Sequence, residues 1–172
     1  MNQFTTSIIW MLSFFIFTLM HELGHAAMSR ILFGDKNWVI HMGAGRPIFT
    51  SKRLVINLWF FFGGFVRCST NSGKRYMFIL RSAGGFSVNI LLAILIFVSG
   101  IIFGPSVLLN DSLPTRLLIQ FMNISFTVNI IIAISTMLPI VYPLGPLKGK
   151  YSDGMWIWRM LTNPSKYFVN SE

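Results

Sequence analysis

Ile16-Phe17-Thr18-Leu19-Met20-His21-Glu22-Leu23-Gly24-His25-Ala26-Ala27-Met28 is the stretch that decides how this chain is read. A long apolar run is broken there by two histidines and a glutamate in the spacing H-E-x-x-H. On a helix, positions i and i+4 share a face, so His21 and His25 can hold one metal ion between them. Glu22 stands beside that face, where its carboxylate can take a proton from a water that the metal activates. The setting sharpens the signal. An ionisable group inside a membrane-length apolar helix costs at least ~2.5–3.5 kcal/mol and marks function. The competing reading, hydrogen-bonded core histidines, needs both the pattern and the setting to arise by chance.

Composition places the chain in a membrane. Of 172 residues, 53% are hydrophobic and 11% charged, against roughly 25% charged in soluble domains. The length suits one domain with a few spanning helices and leaves no room for a separate soluble module. One cysteine, Cys68, excludes an internal disulfide framework and a cysteine-cluster zinc site. The apolar N-terminal run lacks a basic leader and carries the metal motif, so it reads as a retained span, not a cleaved signal.

Three spans are predicted, over about residues 4–33, 77–103 and 115–138. If Phe4 marks one interface, His21 lies roughly 25 Å deeper at 1.5 Å per residue. In an apolar slab of about 30 Å the metal then sits just inside the far boundary. Between the first two spans, Trp38-Val39-Ile40-His41-Met42 and Ile48-Phe49-Thr50 are β-prone and flank the turn cluster Gly43-Ala44-Gly45-Arg46-Pro47. The apolar run 54–62 is too short to span as a helix before Gly63-Gly64. Residues 38–68 are therefore predicted as β-hairpins lying on or dipping into the bilayer, with a spanning helix over 54–66 as the alternative. His41 reads as a hairpin residue and not a ligand. Asp35, in the Gly34-Asp35-Lys36-Asn37 cluster, reads as part of the terminator of the first helix. The second span opens with small residues and carries Asn89, expected to be structural or to line the cleft. The third contains Asn123, Ser125, Thr127, Asn129, Ser135 and Thr136, too polar for a wholly lipid-facing helix. Pro139 ends it, and Trp156-Ile157-Trp158 forms a short interfacial segment within the closing region 139–172.

Charge sets the orientation. Arg30, Lys36, Arg46, Lys52, Arg53, Arg67, Lys74, Arg75 and Arg81 lie between the first two spans or at their edges, and Lys148, Lys150, Arg159 and Lys166 follow the third. Lys and Arg gather on the cytoplasmic side, which puts the N-terminus outside and the histidines near the cytoplasmic face of a multi-pass cell-membrane protein. Because the basic residues track the spans, the net charge of +9 gives no reason to invoke nucleic acid.

A catalytic zinc takes three protein ligands plus water. The acidic inventory is Glu22, Asp35, Asp111, Asp153 and Glu172. Glu22 is needed as the base, Asp111 falls on the opposite side, and Glu172 is the last residue. Asp35 stands ten residues beyond His25 on the same helix, ~15 Å along the axis. Elimination leaves Asp153, expected in a non-helical turn, as the third ligand.

These residues resemble the site-2 protease family of intramembrane zinc metalloproteases. His21-Glu22-Leu23-Gly24-His25 looks like its zinc motif in a first core span, and Gly43-Ala44-Gly45-Arg46-Pro47 like its glycine-rich turn. Gly63-Gly64-Phe65-Val66 looks like its G-G-[YF]-V element. Ala83 to Ala93 is similar to its A-G-P-x-x-N helix start, and Leu138-Pro139 through Gly154 sits where its third-span signature is expected. The resemblance covers nearly the whole chain. It implies a mostly α, three-helix transmembrane core with membrane-associated β-structure. It also implies a Zn2+ cofactor and a transmembrane or signal-peptide-like protein substrate, with Asn89, Thr136, Ile40, Gly43 and Gly45 as substrate-binding candidates. Phe86 replaces the family's proline, Gly145 falls where its aspartate is usual, and Thr136 replaces an asparagine. The small core without a PDZ-like module looks bacterial. A catalytically inactive peptide- or metal-binding relative is the alternative, and a metal transporter is disfavoured by the scarcity of carboxylates.

Overall fold

In the computed structural model, residues 3–69, 73–108, 112–143 and 147–163 are described. Asn71, Ser72, Asn110, Asp111, Gly145, Pro146, Lys166 and Glu172 lie outside them. The elements follow in the order α1 (Gln3–Phe33), β1 (Val39–Thr50), β2 (Leu54–Arg67), α2 (Arg75–Leu108), α3 (Leu113–Met137) and α4 (Asp153–Thr162). Three helices, Gln3–Phe33, Arg75–Gly104 and Leu113–Met137, are long and apolar enough to cross a membrane. Their outward faces stay apolar: Leu91, Ile94, Phe97 and Ile101 on α2 are each more than half exposed. A helix apolar on its outside is built for a surrounding other than water.

The interior holds the helices together with both oil and polar groups. Phe17, Ile124, Val128 and Ile132 form the apolar core, with Phe14 and Leu92 packed against it. Gly24 on α1 and Gly84 on α2 lie backbone to backbone, and a Cβ on Gly84 would come within 2.7 Å of the Gly24 carbonyl oxygen. Small residues permit this approach, as between helices in lipid generally. Of the polar residues in the third span, Ser125 and Asn129 are buried and Ser135 and Thr136 line a cavity, whereas Asn123 and Thr127 are exposed.

Residues 54–66 are strand and not helix. β1 and β2 pair antiparallel, and the start of β1 is flanked on both sides by β2: Ile40 is opposite Val66 on one side and Leu54 on the other. Gly43 (φ 74°), Gly45 (φ 90°) and Gly63 (φ 82°) supply left-handed backbone at the bends. Ile40 therefore sits in the middle of the sheet. Its side chain is buried and its amide donates to the Arg53 carbonyl (2.9 Å). The expectation that Ile40 docks substrate is corrected: a central strand has no free edge to offer. Residues 64–66 have no strand on their outer side among the described residues.

Asp35 does more than end α1. Its carboxylate accepts from the Ser69 amide (2.8 Å), the Ser69 hydroxyl (2.5 Å), the Asn37 amide (2.8 Å) and the Ser29 hydroxyl (3.3 Å). The end of α1 is thereby tied to the chain leaving β2. Burial opposes the charge, but these donors outweigh it and hold the carboxyl at about 2, below its usual 3.8. A depressed folded-state pKa stabilises above the unfolded value and loses that contribution as pH falls. Thermal stability of the wild type in detergent should therefore fall between about pH 4 and pH 2 by more than that of Asp35→Asn, and equal pH slopes in the two proteins would contradict this role.

Candidate metal centre

Three donor atoms on two distant segments converge. His21 Nε2 and His25 Nε2 lie 3.2 Å apart, and Asp153 Oδ2 is 3.1 Å from the first and 3.3 Å from the second. Two histidines one helical turn apart explain the first pair. The third donor needs the chain to return. Pro139 keeps the segment after α3 from continuing as helix, and a short strap brings it back, with Val141 paired to Tyr151.

Asp153 is the first residue of α4 and not part of a non-helical turn, as the sequence had suggested. Each residue of Ser152-Asp153-Gly154 has its own task. The Ser152 hydroxyl donates to the Leu138 carbonyl (2.6 Å) and accepts from the amides of Ile140 and Met155 (3.1 Å each), which caps α4 and pins it to the end of α3. Gly154 packs so closely on α3 that a Cβ there would collide with the Met137 carbonyl oxygen. At the other end of α4, Arg75 donates to the Leu161 carbonyl (2.8 Å).

The histidines are oriented from behind. His21 Nδ1 lies 2.8 Å from Asn89 Oδ1, and His25 Nδ1 lies 2.8 Å from the Arg81 carbonyl oxygen. Asn89 donates its amide to the Phe17 carbonyl (3.2 Å) and to Asn129 Oδ1 (2.9 Å), and Asn129 donates to the Ser125 carbonyl (2.8 Å). This chain of bonds fixes the amide orientation, so Asn89 must present its oxygen to His21. Both rings then donate from Nδ1, and both Nε2 atoms point at the same carboxylate oxygen. Asp153 Oδ2 is buried with no hydrogen-bond partner. Three such atoms at this range are joined by a shared cation, either a proton on one ring or a metal ion.

The spacing fits a metal ion. Ligands at ~2.0–2.1 Å in tetrahedral array lie ~3.3–3.4 Å apart, and the three separations here are 3.1–3.3 Å. Gly85 leaves the room: a Cβ there would collide with His25 Nε2 and stand 2.6 Å from His21 Nε2. His21, His25 and Asp153 are the group among the described residues that could hold a metal ion.

Glu22 is buried in the same cavity of about 970 Å³, which His21, His25, Asp153, Thr136, Tyr142 and residues 63–66 also line. Gly64 lets it come close to β2, since a Cβ there would lie 3.0 Å from Glu22 Cγ. Phe65 stacks on His41, ring centroids 4.8 Å apart, so His41 is a sheet residue.

The other sequence candidates divide. Thr136 lines the cavity, but its hydroxyl donates to the Ile132 carbonyl (2.8 Å) of its own helix. Asn89 does not line the cavity; fully buried, it holds His21. Gly43 and Gly45 shape the sheet and do not line the cavity, and Gly43 packs on the Trp59 backbone. Gly85 and Gly64 were missed, although their glycine pairs in the sequence were a usable signal.

Two substitutions test the centre. Gly85→Ala should abolish metal binding, measured by elemental analysis of the purified protein, while helical circular dichroism is kept. Asn89→Leu should weaken metal affinity ~10–100-fold, as expected when a group that orients a ligand is lost. Unchanged metal content in both would contradict the assignment.

Compared with known proteins, the chain matches no protein-family model, no curated protein and no solved structure.

Proposed function

We propose that this chain is a zinc-dependent intramembrane endopeptidase, a compact relative of the site-2 proteases, which hydrolyses peptide bonds in or near transmembrane segments of its substrates. One observation carries the reading: a three-donor centre and a carboxylate from the same helix turn share one cavity, with Glu22 standing next to the donors without belonging to them. A metal held only for transport or structure does not need that carboxylate.

Zinc in this donor set would lower the pKa of a water molecule and polarise the scissile carbonyl. The protein's own groups do the rest. Glu22 accepts the proton of the attacking water and later returns it to the leaving amine. Asn89 and the Arg81 carbonyl keep both imidazoles turned inward. The cavity walls limit competing water.

A membrane-spanning substrate hides its carbonyls in helix hydrogen bonds and must unwind locally, at several kcal/mol for each backbone group left unpaired. The outer edge of residues 64–66 offers a partner. An extended strand laid there would recover backbone hydrogen bonds beside Glu22, by β-addition. The proposed orientation, with the N-terminus outside and the cavity at the cytoplasmic side, rests on the distribution of Lys and Arg.

In vesicles holding single-span substrates, Glu22→Gln should lower the cleavage rate ~10²–10⁴-fold, the usual worth of a general base, with bound metal retained. Equal processing by both proteins would remove the protease reading and favour a binding role.

A further inference from the structure

We propose that the Tyr142 hydroxyl is a catalytic hydrogen-bond donor that stabilises the oxyanion formed at the scissile carbonyl. This inference rests on the endopeptidase reading and adds a residue that the motifs do not contain.

Tyr142 lines the cavity with His21, Glu22, His25 and Asp153. It sits on the strap that delivers Asp153, and the strap fixes its backbone: its amide donates to the Lys150 carbonyl (3.0 Å) and its carbonyl accepts from Gly149 (2.9 Å). Two residues earlier, the Ile140 carbonyl accepts from the Ser152 amide (3.0 Å). The backbone at Tyr142 and the backbone leading into Asp153 are therefore set by the same short pairing.

Five other donor side chains at the cavity are committed elsewhere. The hydroxyls of Ser135, Thr136 and Ser152 donate to backbone carbonyls at 3.1, 2.8 and 2.6 Å. The Lys150 ammonium lies over the Phe65 ring at 4.5 Å, and the Arg81 guanidinium lies over Phe33 and Phe78 at 5.2 and 4.9 Å. The Tyr142 hydroxyl is hydrogen-bonded to none of the described residues. Burial first, then the charges of Asp153 and Glu22, push its pKa up to about 12. A phenol, whose ordinary pKa is ~10, keeps its proton in the range in which a protease works, and Tyr142 shares the cavity with both carboxylates.

The step balances without a further reactant. The oxygen of water forms a bond to the carbonyl carbon, the C=O π pair moves onto the carbonyl oxygen, and the released proton goes to Glu22. Tyr142 donates a hydrogen bond to that oxygen and keeps its proton. When the C–O double bond re-forms, the C–N bond breaks and the amine takes the proton from Glu22. A donor aimed at developing charge is worth ~10²–10³ in kcat.

The test compares wild type, Tyr142→Phe and Glu22→Gln on one single-span substrate, with metal content and thermal stability measured for each. Tyr142→Phe keeps the ring and should lose ~10²–10³-fold in kcat, with KM, bound metal and stability close to wild type. A phosphinic peptide inhibitor, which presents a tetrahedral anion, should lose affinity in step with kcat/KM. Three results would overturn the proposal: an unchanged kcat, a raised KM alone, or lost metal accounting for lost activity. Equal cleavage by wild type and Glu22→Gln would overturn the endopeptidase reading itself, whereas a silent Tyr142→Phe beside an inactive Glu22→Gln removes only the tyrosine.

Discussion

Two bare imidazole nitrogens and one bare carboxylate oxygen within 3.3 Å of each other form an arrangement that repels itself unless a cation joins it. Much of the fold serves to impose it. The Gly24–Gly84 contact brings α2 against α1, Gly85 leaves room for the rings, and Ser152 and Gly154 hold the start of α4 on the end of α3. Asn89 and Asn129 link all three long helices to the back of His21. The geometry of the candidate metal centre and the packing of the bundle are therefore set by the same contacts. Polar groups in an apolar setting are strong only when every partner is present, and here the front of the site completes its partners through the ion.

The proposed chemistry sets a second constraint. Hydrolysis needs water and charge, yet α1 is apolar for most of its length. The answer drawn here is local. The polar groups lie in a cavity lined on one side by the sheet and on another by the strap, while the outward surfaces of the long helices stay apolar. The sheet contributes twice, because residues 64–66 pack against Glu22 and no strand pairs on their outer side among the described residues.

How much of this the sequence disclosed depends on the kind of information involved. His21, Glu22 and His25 were legible because a fixed helical spacing turns three positions into one face. Asp153 was reached because the chain has so few carboxylates that elimination worked, although its place on a helix was not foreseen. The strand character of 54–66 followed from length, since nine apolar residues cannot cross a bilayer as a helix. What stayed hidden was relative placement. Asn89 read as either structural or cleft-lining because a sequence does not say which way a buried amide faces, and it holds His21 from behind. Ile40 read as a docking residue because flanking by both parts of β2 is a property of the folded register. Tyr142 carries no spacing signal toward the site, since it arrives there only after a return of the chain, and the Gly84-Gly85 pair signals close packing without saying what is packed.

The central claim is that His21, His25 and Asp153 bind one ion together, and X-ray absorption at the zinc edge on the purified full-length protein tests it most directly. The account predicts about one zinc per chain, with two imidazole nitrogens and light oxygen donors at ~2.0–2.1 Å, and loss of the bound ion in Asp153→Ala. A well-folded wild-type protein that binds no zinc, or a zinc shell dominated by sulfur from Cys68, would contradict it.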